Sequence, residues 1–162
     1  MTPSENFSGT AKDNLKAIRI LCFALIIGVF LFTLISLLIN KFTGSFIKQS
    51  KQNLNIFLWV LAIVTLICIL AALRSYPKNI TKSKNADTLN DKLNQYRSSL
   101  VIYMALCEGP ALFSGAVFLL TGNFNSFAFT VLMLAMMLAK FPTYDRVNRD
   151  MELDAQEQLE LE

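Results

Sequence analysis

The chain contains no histidine, and that absence removes more chemistry than any other feature of its composition. Imidazole acid/base catalysis, haem attachment and His-ligated metal centres are all unexpected without it. Its 3 cysteines, Cys22, Cys68 and Cys107, each lie inside an apolar block and none is spaced as C-x-x-C. They read as small buried hydrophobes, so neither a disulfide framework nor a structural metal is expected. Charged residues make up only 17% of the chain and the net charge is +3, too little to favour nucleic acid as a partner. Also missing are a phosphate-cradling glycine loop, a serine or cysteine nucleophile beside a base, and paired carboxylates within an apolar block. The expectation is a protein with no catalytic site and no cofactor.

What the chain does contain is apolar sequence, 54% of 162 residues, gathered into four long blocks at 18–39, 54–73, 100–121 and 124–141. Helices rise about 1.5 Å per residue, so runs near twenty residues match a bilayer core of about 30 Å. The fold class expected is therefore all-α, a polytopic four-helix membrane bundle (18–141) surrounded by lipid. The first block ends in Asn40-Lys41 and lacks a small-residue cleavage site, so it reads as a retained span. A polar N-terminal segment (1–17), a basic connection (74–99) and a charged tail (142–162) complete the plan.

Basic residues set the orientation. Of 15 lysines and arginines only Lys41, Lys48 and Lys51 fall on one side of a four-span arrangement. The positive-inside rule then places both termini in the cytoplasm, and in a bacterium the membrane is the inner one.

Helix boundaries are also legible. Thr10-Ala-Lys-Asp13, Thr88-Leu-Asn-Asp91 and Asp154-Ala-Gln-Glu157 have capping-box spacing. Leu89, Leu93, Tyr96 and Leu100 recur at helical intervals, so the third helix is expected to begin well before its span. Gly122-Asn123 is too short a connection for anything but antiparallel neighbours. Pro142-Thr143 is expected to stop the fourth helix and start a new one. The tail helix reads as solvated at the membrane surface, with docking to a cytoplasmic partner as its alternative.

One residue breaks the pattern. Glu108 stands near the middle of the third block, followed by Gly109 and Pro110. An ionisable side chain at that depth is costly and is a functional-site hypothesis by default. Pro110 lacks an N–H, frees the carbonyl of Leu106 and is expected to kink the helix at Gly109–Pro110. A freed carbonyl beside a carboxylate would suit a proton or a cation. Ala111 and Gly115 share the Glu108 face as a small-xxx-small pair, which suggests a face packed inside the bundle, with Ala24 and Gly28 of the first block as partner. Alternatively, Glu108 bonds a freed carbonyl or Thr33, Ser36 or Thr65 and only fixes packing. Ala128, Ala135 and Ala139 give the fourth block a small-residue face of its own.

A weak repeat relates the first and third blocks. At an offset of 81 (105 − 24), Ala24, Leu25, Gly28 and Thr33 align with Ala105, Leu106, Gly109 and Ser114. A duplicated two-helix hairpin is one explanation, chance in apolar sequence the other.

Residues 97–116, Arg-Ser-Ser-Leu-Val-Ile-Tyr-Met-Ala-Leu-Cys-Glu-Gly-Pro-Ala-Leu-Phe-Ser-Gly-Ala, resemble the second helix of the rotary ATPase proteolipid, subunit c. Glu108 matches its ion-binding carboxylate, and the basic loop before it matches in side. The preceding block, 54–73, has no glycine where the proteolipid's first helix is glycine-rich. Over its length the chain is similar to a group of bacterial four-span membrane proteins of unassigned function. The shared segments are Ala105–Phe113, Leu120–Asn123 and Phe141–Leu153. The resemblance to small multidrug transporters extends only to four spans and a carboxylate. Two roles follow: a structural or accessory subunit of a homo-oligomer or membrane complex, or a proton- or cation-coupled carrier using Glu108.

Overall fold

The structure, a computed structural model, describes residues 11–44, 51–84, 88–154, 157 and 158. Five helices follow one another: α1 (Ala11–Thr43), α2 (Lys51–Lys84), α3 (Leu89–Thr121), α4 (Phe124–Ala139) and α5 (Tyr144–Met151). There is no strand among the described residues, and the chain is a helical bundle as its sequence implies. Three helices, α1, α2 and α3, are each long and apolar enough to cross a membrane. α4 and α5 together are also long and apolar enough for a crossing, but they are bent by 73° at the break between them.

The caps explain where these helices begin and end. Thr88 is extended, and its Oγ1 accepts from the Asp91 amide at 3.2 Å, as the capping spacing predicts. Gly122 ends α3 with φ of 67°, a left-handed conformation that glycine adopts without strain, and returns its N–H to the Phe118 carbonyl. Asn123 then caps α4 by accepting from the Asn125 amide. Asp154 and Glu157 form half of their expected box, the Asp154 amide donating to Glu157 Oε2 at 3.1 Å. Thr10 lies outside the described residues.

α3 is the hub. It packs against α1, α2 and α4, whereas α1 and α2 barely touch each other. Half of the apolar window of α3 is buried, against 28% of α1 and 17% of α2. The core lies towards the end where α1 and α3 start. It is built from Leu15, Ile18, Cys22 and Ile26 of α1, Tyr76 and Ile80 of α2, Leu93 to Cys107 of α3, Met133 and Met137 of α4, and Val147 and Met151 of α5. The outward faces carry Ile20, Phe23, Phe30, Trp59, Ile63, Ile67 and Leu70, all exposed, the apolar sheath that a lipid environment requires.

Three boundaries differ from expectation. α2 does not stop near residue 73 but continues through Pro77 to Lys84, so most of the connection 74–99 is helical. Tyr76 and Ile80, buried against the bundle, hold the helix beyond the missing proline donor. α4 ends at Ala139 and is only 16 residues long, about 24 Å against the ~30 Å of a bilayer core. Within the described part of the tail, Val147, Met151 and Leu153 are buried in the core cluster rather than solvated.

Candidate functional site

Successive α-helical side chains turn by about 100°. On α3 the buried stripe runs through Leu100, Met104, Cys107, Ala111, Ser114 and Phe118. One residue on from Cys107, Glu108 falls at the rim of that stripe and is half-buried, with Met104, Ala111 and Gly115 buried on one side and Ala105 and Gly109 exposed on the other. The expectation of a carboxylate packed inside the bundle is therefore corrected: no charged residue among the described ones is fully buried. The reason is topological. Because α1 and α2 do not close over α3, one face of that helix stays open.

Glu108 makes no hydrogen bond or ion pair within the described chain. The hydroxyls proposed as its partners are otherwise placed: Thr33 donates to the Val29 carbonyl at 2.7 Å and Ser36 to the Phe32 carbonyl at 2.8 Å, while Thr65 Oγ1 is buried without a partner. α3 is helical at every position from Leu89 to Thr121, through Gly109 and Pro110. Pro110 points into the core and is buried. Two residues along a helix amount to about 200°, so the proline lies on the opposite face from Glu108. The carbonyl it frees, Leu106, precedes Glu108 by the same interval, and the supposed pairing of freed carbonyl with carboxylate is not made on one face.

Small residues divide into two groups. Ala111 and Gly115 are buried contact points, as expected. A Cβ on Gly115 would stand 3.0 Å from Phe32 Cε1 of α1 and 3.9 Å from Thr130 Oγ1 of α4, so three helices meet here. Beside it, Ser114 and Thr130 share a buried hydroxyl contact of 2.6 Å, and Ser114 also donates to the Ala111 carbonyl at 2.9 Å. Ala24 and Gly28, by contrast, are exposed, and nothing lies within 4 Å of a Cβ placed on Gly28. They do not pack against Ala111 and Gly115; Phe32 supplies that contact from α1 instead. Ala128, Ala135 and Ala139 of α4 are exposed as well.

Sequence reasoning missed a polar network at the other end of the core. Tyr76 donates to Asp150 Oδ2 at 2.8 Å, stands edge-on to Tyr103 with ring centres 5.3 Å apart, and carries the Lys140 ammonium 4.4 Å above its ring. The Tyr96 hydroxyl is buried there without a hydrogen-bond partner. Arg19 Nε donates to the Pro142 carbonyl at 3.0 Å, tying α1 to the α4–α5 elbow. Lys92 and Glu157 are 2.6 Å apart and largely shielded. Partial burial raises the Glu157 carboxyl, but the hydrogen bond from Lys92, the Asp154 amide and the Lys92 charge outweigh it and hold the group below its ordinary range. The signal in the sequence was the four-residue spacing of Val147 and Met151, with Asp150 on the adjoining position.

Cys22 and Cys107 are buried and Cys68 half-buried, all as free thiols. No group of three or more metal-ligating side chains occurs among the described residues. Comparison with known proteins adds no relative: no family model, curated protein or solved structure matches this chain.

Proposed function

We propose that this chain is a non-catalytic accessory subunit of a bacterial inner-membrane assembly, with both termini cytoplasmic. The observation that carries the reading is Glu108, a carboxylate midway along a spanning helix, half-exposed and without a partner among the described residues. Such a group is costly against hydrocarbon and is relieved when another protein surface supplies its hydrogen bonds. The surrounding surface suits that role. Ala105 and Gly109 beside Glu108, Ala24 and Gly28 on α1, and Ala128 and Ala135 on α4 are small and outward, and small residues let a neighbouring helix come close. The neighbour is a second copy or a different subunit. The charge bias of the helix ends supports the orientation, and the likeness to bacterial four-span proteins supports the membrane.

Photocrosslinking in native membranes tests this. A photoreactive residue at Gly109 should give a protein adduct of discrete mass, while one at Ile63, on the exposed face of α2, should label lipid alone. Lipid labelling at both positions would remove the reading.

A second reading, proton or cation handling by Glu108, is favoured by the local resemblance to the proteolipid helix. Glu108 lines none of the cavities described for this chain, so its ion path would be completed by the neighbour. Flux measured after reconstitution should fall in Glu108→Gln and carbodiimide labelling should vanish with it. Equal flux in both proteins rules out translocation through this residue.

A further inference from the structure

The α4–α5 elbow holds a cavity of about 300 Å³ that none of the preceding chemistry uses. Its walls are of two kinds. Leu138, Ala139 and Phe141, at and just beyond the end of α4, are apolar, while Thr143, Asp145, Arg146 and Arg149, of α5 and its cap, are polar. Neither guanidinium makes a hydrogen bond or ion pair among the described residues, and Asp145 in the same lining pairs with neither. Among the described residues the lining thus carries one net positive charge, and each guanidinium brings five donors to it.

Depth decides what that partner is. At 16 residues, α4 covers about 24 Å, less than the ~30 Å hydrocarbon core, so the elbow that ends it cannot stand far out in water. α5 turns away by 73° and is pinned to the bundle by buried Val147 and Met151, so an elbow ending a spanning α4 would set α5 along the membrane surface. Leu138, 59% exposed at the end of α4, would then face acyl chains, and Arg146 and Arg149, beyond the bend on α5, would reach the level of phosphate groups. Guanidinium forks match phosphate oxygens better than ammonium groups do, and basic pockets of this kind at helix ends hold anionic headgroups.

We propose that the elbow is a binding site for an anionic phospholipid, its phosphate held by Arg146 and Arg149 and the start of its acyl chain laid against Leu138 and Phe141. The site is independent of Glu108 and of any partner there. Asp145 turns the site away from more highly charged headgroups, so a singly charged one such as phosphatidylglycerol fits best.

The test uses the full chain in nanodiscs of equal parts phosphatidylglycerol and phosphatidylcholine, with retained lipid read by native mass spectrometry. Wild type should keep phosphatidylglycerol preferentially. Arg146→Gln combined with Arg149→Gln should lower that preference roughly tenfold, given the attraction each basic residue contributes near a membrane surface. Arg74→Gln with Lys78→Gln, an equal loss of charge from exposed positions at the same end of α2, should leave it unchanged. Ala139→Phe, which fills the cavity without altering charge, should also release the lipid, and it keeps the test open if the arginine variant fails to fold. Undiminished retention in both elbow variants overturns the proposal, as does an equal loss in the α2 variant. Displacement of the lipid by millimolar inorganic phosphate would overturn the choice of a lipid over a free anion.

Discussion

At the scale of single residues, the glycines show how differently one residue type is used. A methyl on Gly115 meets the Phe32 ring at 3.0 Å, and because the ring is the end of a side chain it can yield in part. Gly115→Ala should therefore destabilise the bundle by about 1 kcal/mol, and Gly115→Leu by more, the ordinary cost of overpacking. Gly28→Ala meets nothing and should be neutral in the isolated chain. Unfolding in mixed detergent micelles would read both, and equal losses at the two positions would contradict the packing described. Ser114→Ala removes the contact with Thr130 but leaves Thr130 a weak bond of 3.4 Å to the Ala111 carbonyl. The expected loss is about 0.6 kcal/mol, the average for such membrane hydrogen bonds, in the same assay. Glu108 stood out in the sequence because a carboxylate in apolar surroundings is conspicuous. Its direction did not, because one step of 100° separates core from rim, and only the placement of α1 and α2 says on which side of the rim the lipid begins.

At the scale of elements, the ends of helices were the most legible part. Thr88 and Asp91 cap α3 through local bonds that depend on nothing outside four residues. The extension of α2 beyond the apolar block 54–73 was not legible because it rests on distant residues: Tyr76 reaches Asp150, 74 positions away, and Ile80 is covered by the bundle. The burial of Val147, Met151 and Leu153 in the tail was hidden for the same reason. Its clasp, Lys92 with Glu157, makes a pH prediction. The folded Glu157 carboxyl lies below its unfolded value, so the stability it contributes is complete above about pH 4.3 and is lost as pH falls through the lower, folded value. Glu157→Gln should remove this dependence and cost about 1 kcal/mol or less at neutral pH. Hydrogen exchange in α5 as a function of pH measures it, and identical profiles for the two proteins would show that the clasp contributes nothing. The repeat between α1 and α3 takes a clearer form here. At the offset of 81, Leu15, Ile18, Cys22, Val29 and Thr33 are buried, and so are Tyr96, Ser99, Tyr103, Pro110 and Ser114. The two helices share a phase, yet one is the hub and the other lies at its side.

For the whole molecule, both described ends are well separated in chemistry. One holds Arg19, Lys92, Lys140, Arg146 and Arg149. The other has the turn at Gly122–Asn123, where Asn40 donates to the Phe118 and Leu119 carbonyls at 2.9 and 3.1 Å. A cysteine at Asn123 should react with impermeant maleimide from outside intact cells, and one at Asn90 only after lysis. The reverse pattern would invert the charge-bias assignment.

The near absence of contact between α1 and α2 bears on how the protein is made. A ribosome delivers these two helices first, but as a pair they have almost nothing to hold each other by. The core residues that α1 and α2 bury are covered mainly by α3, so the early pair has little to pack against until the third helix arrives. Synthesis halted before residue 89 should leave a product with almost no contact between its described helices. The hub is thus also the helix on which assembly of the first two depends.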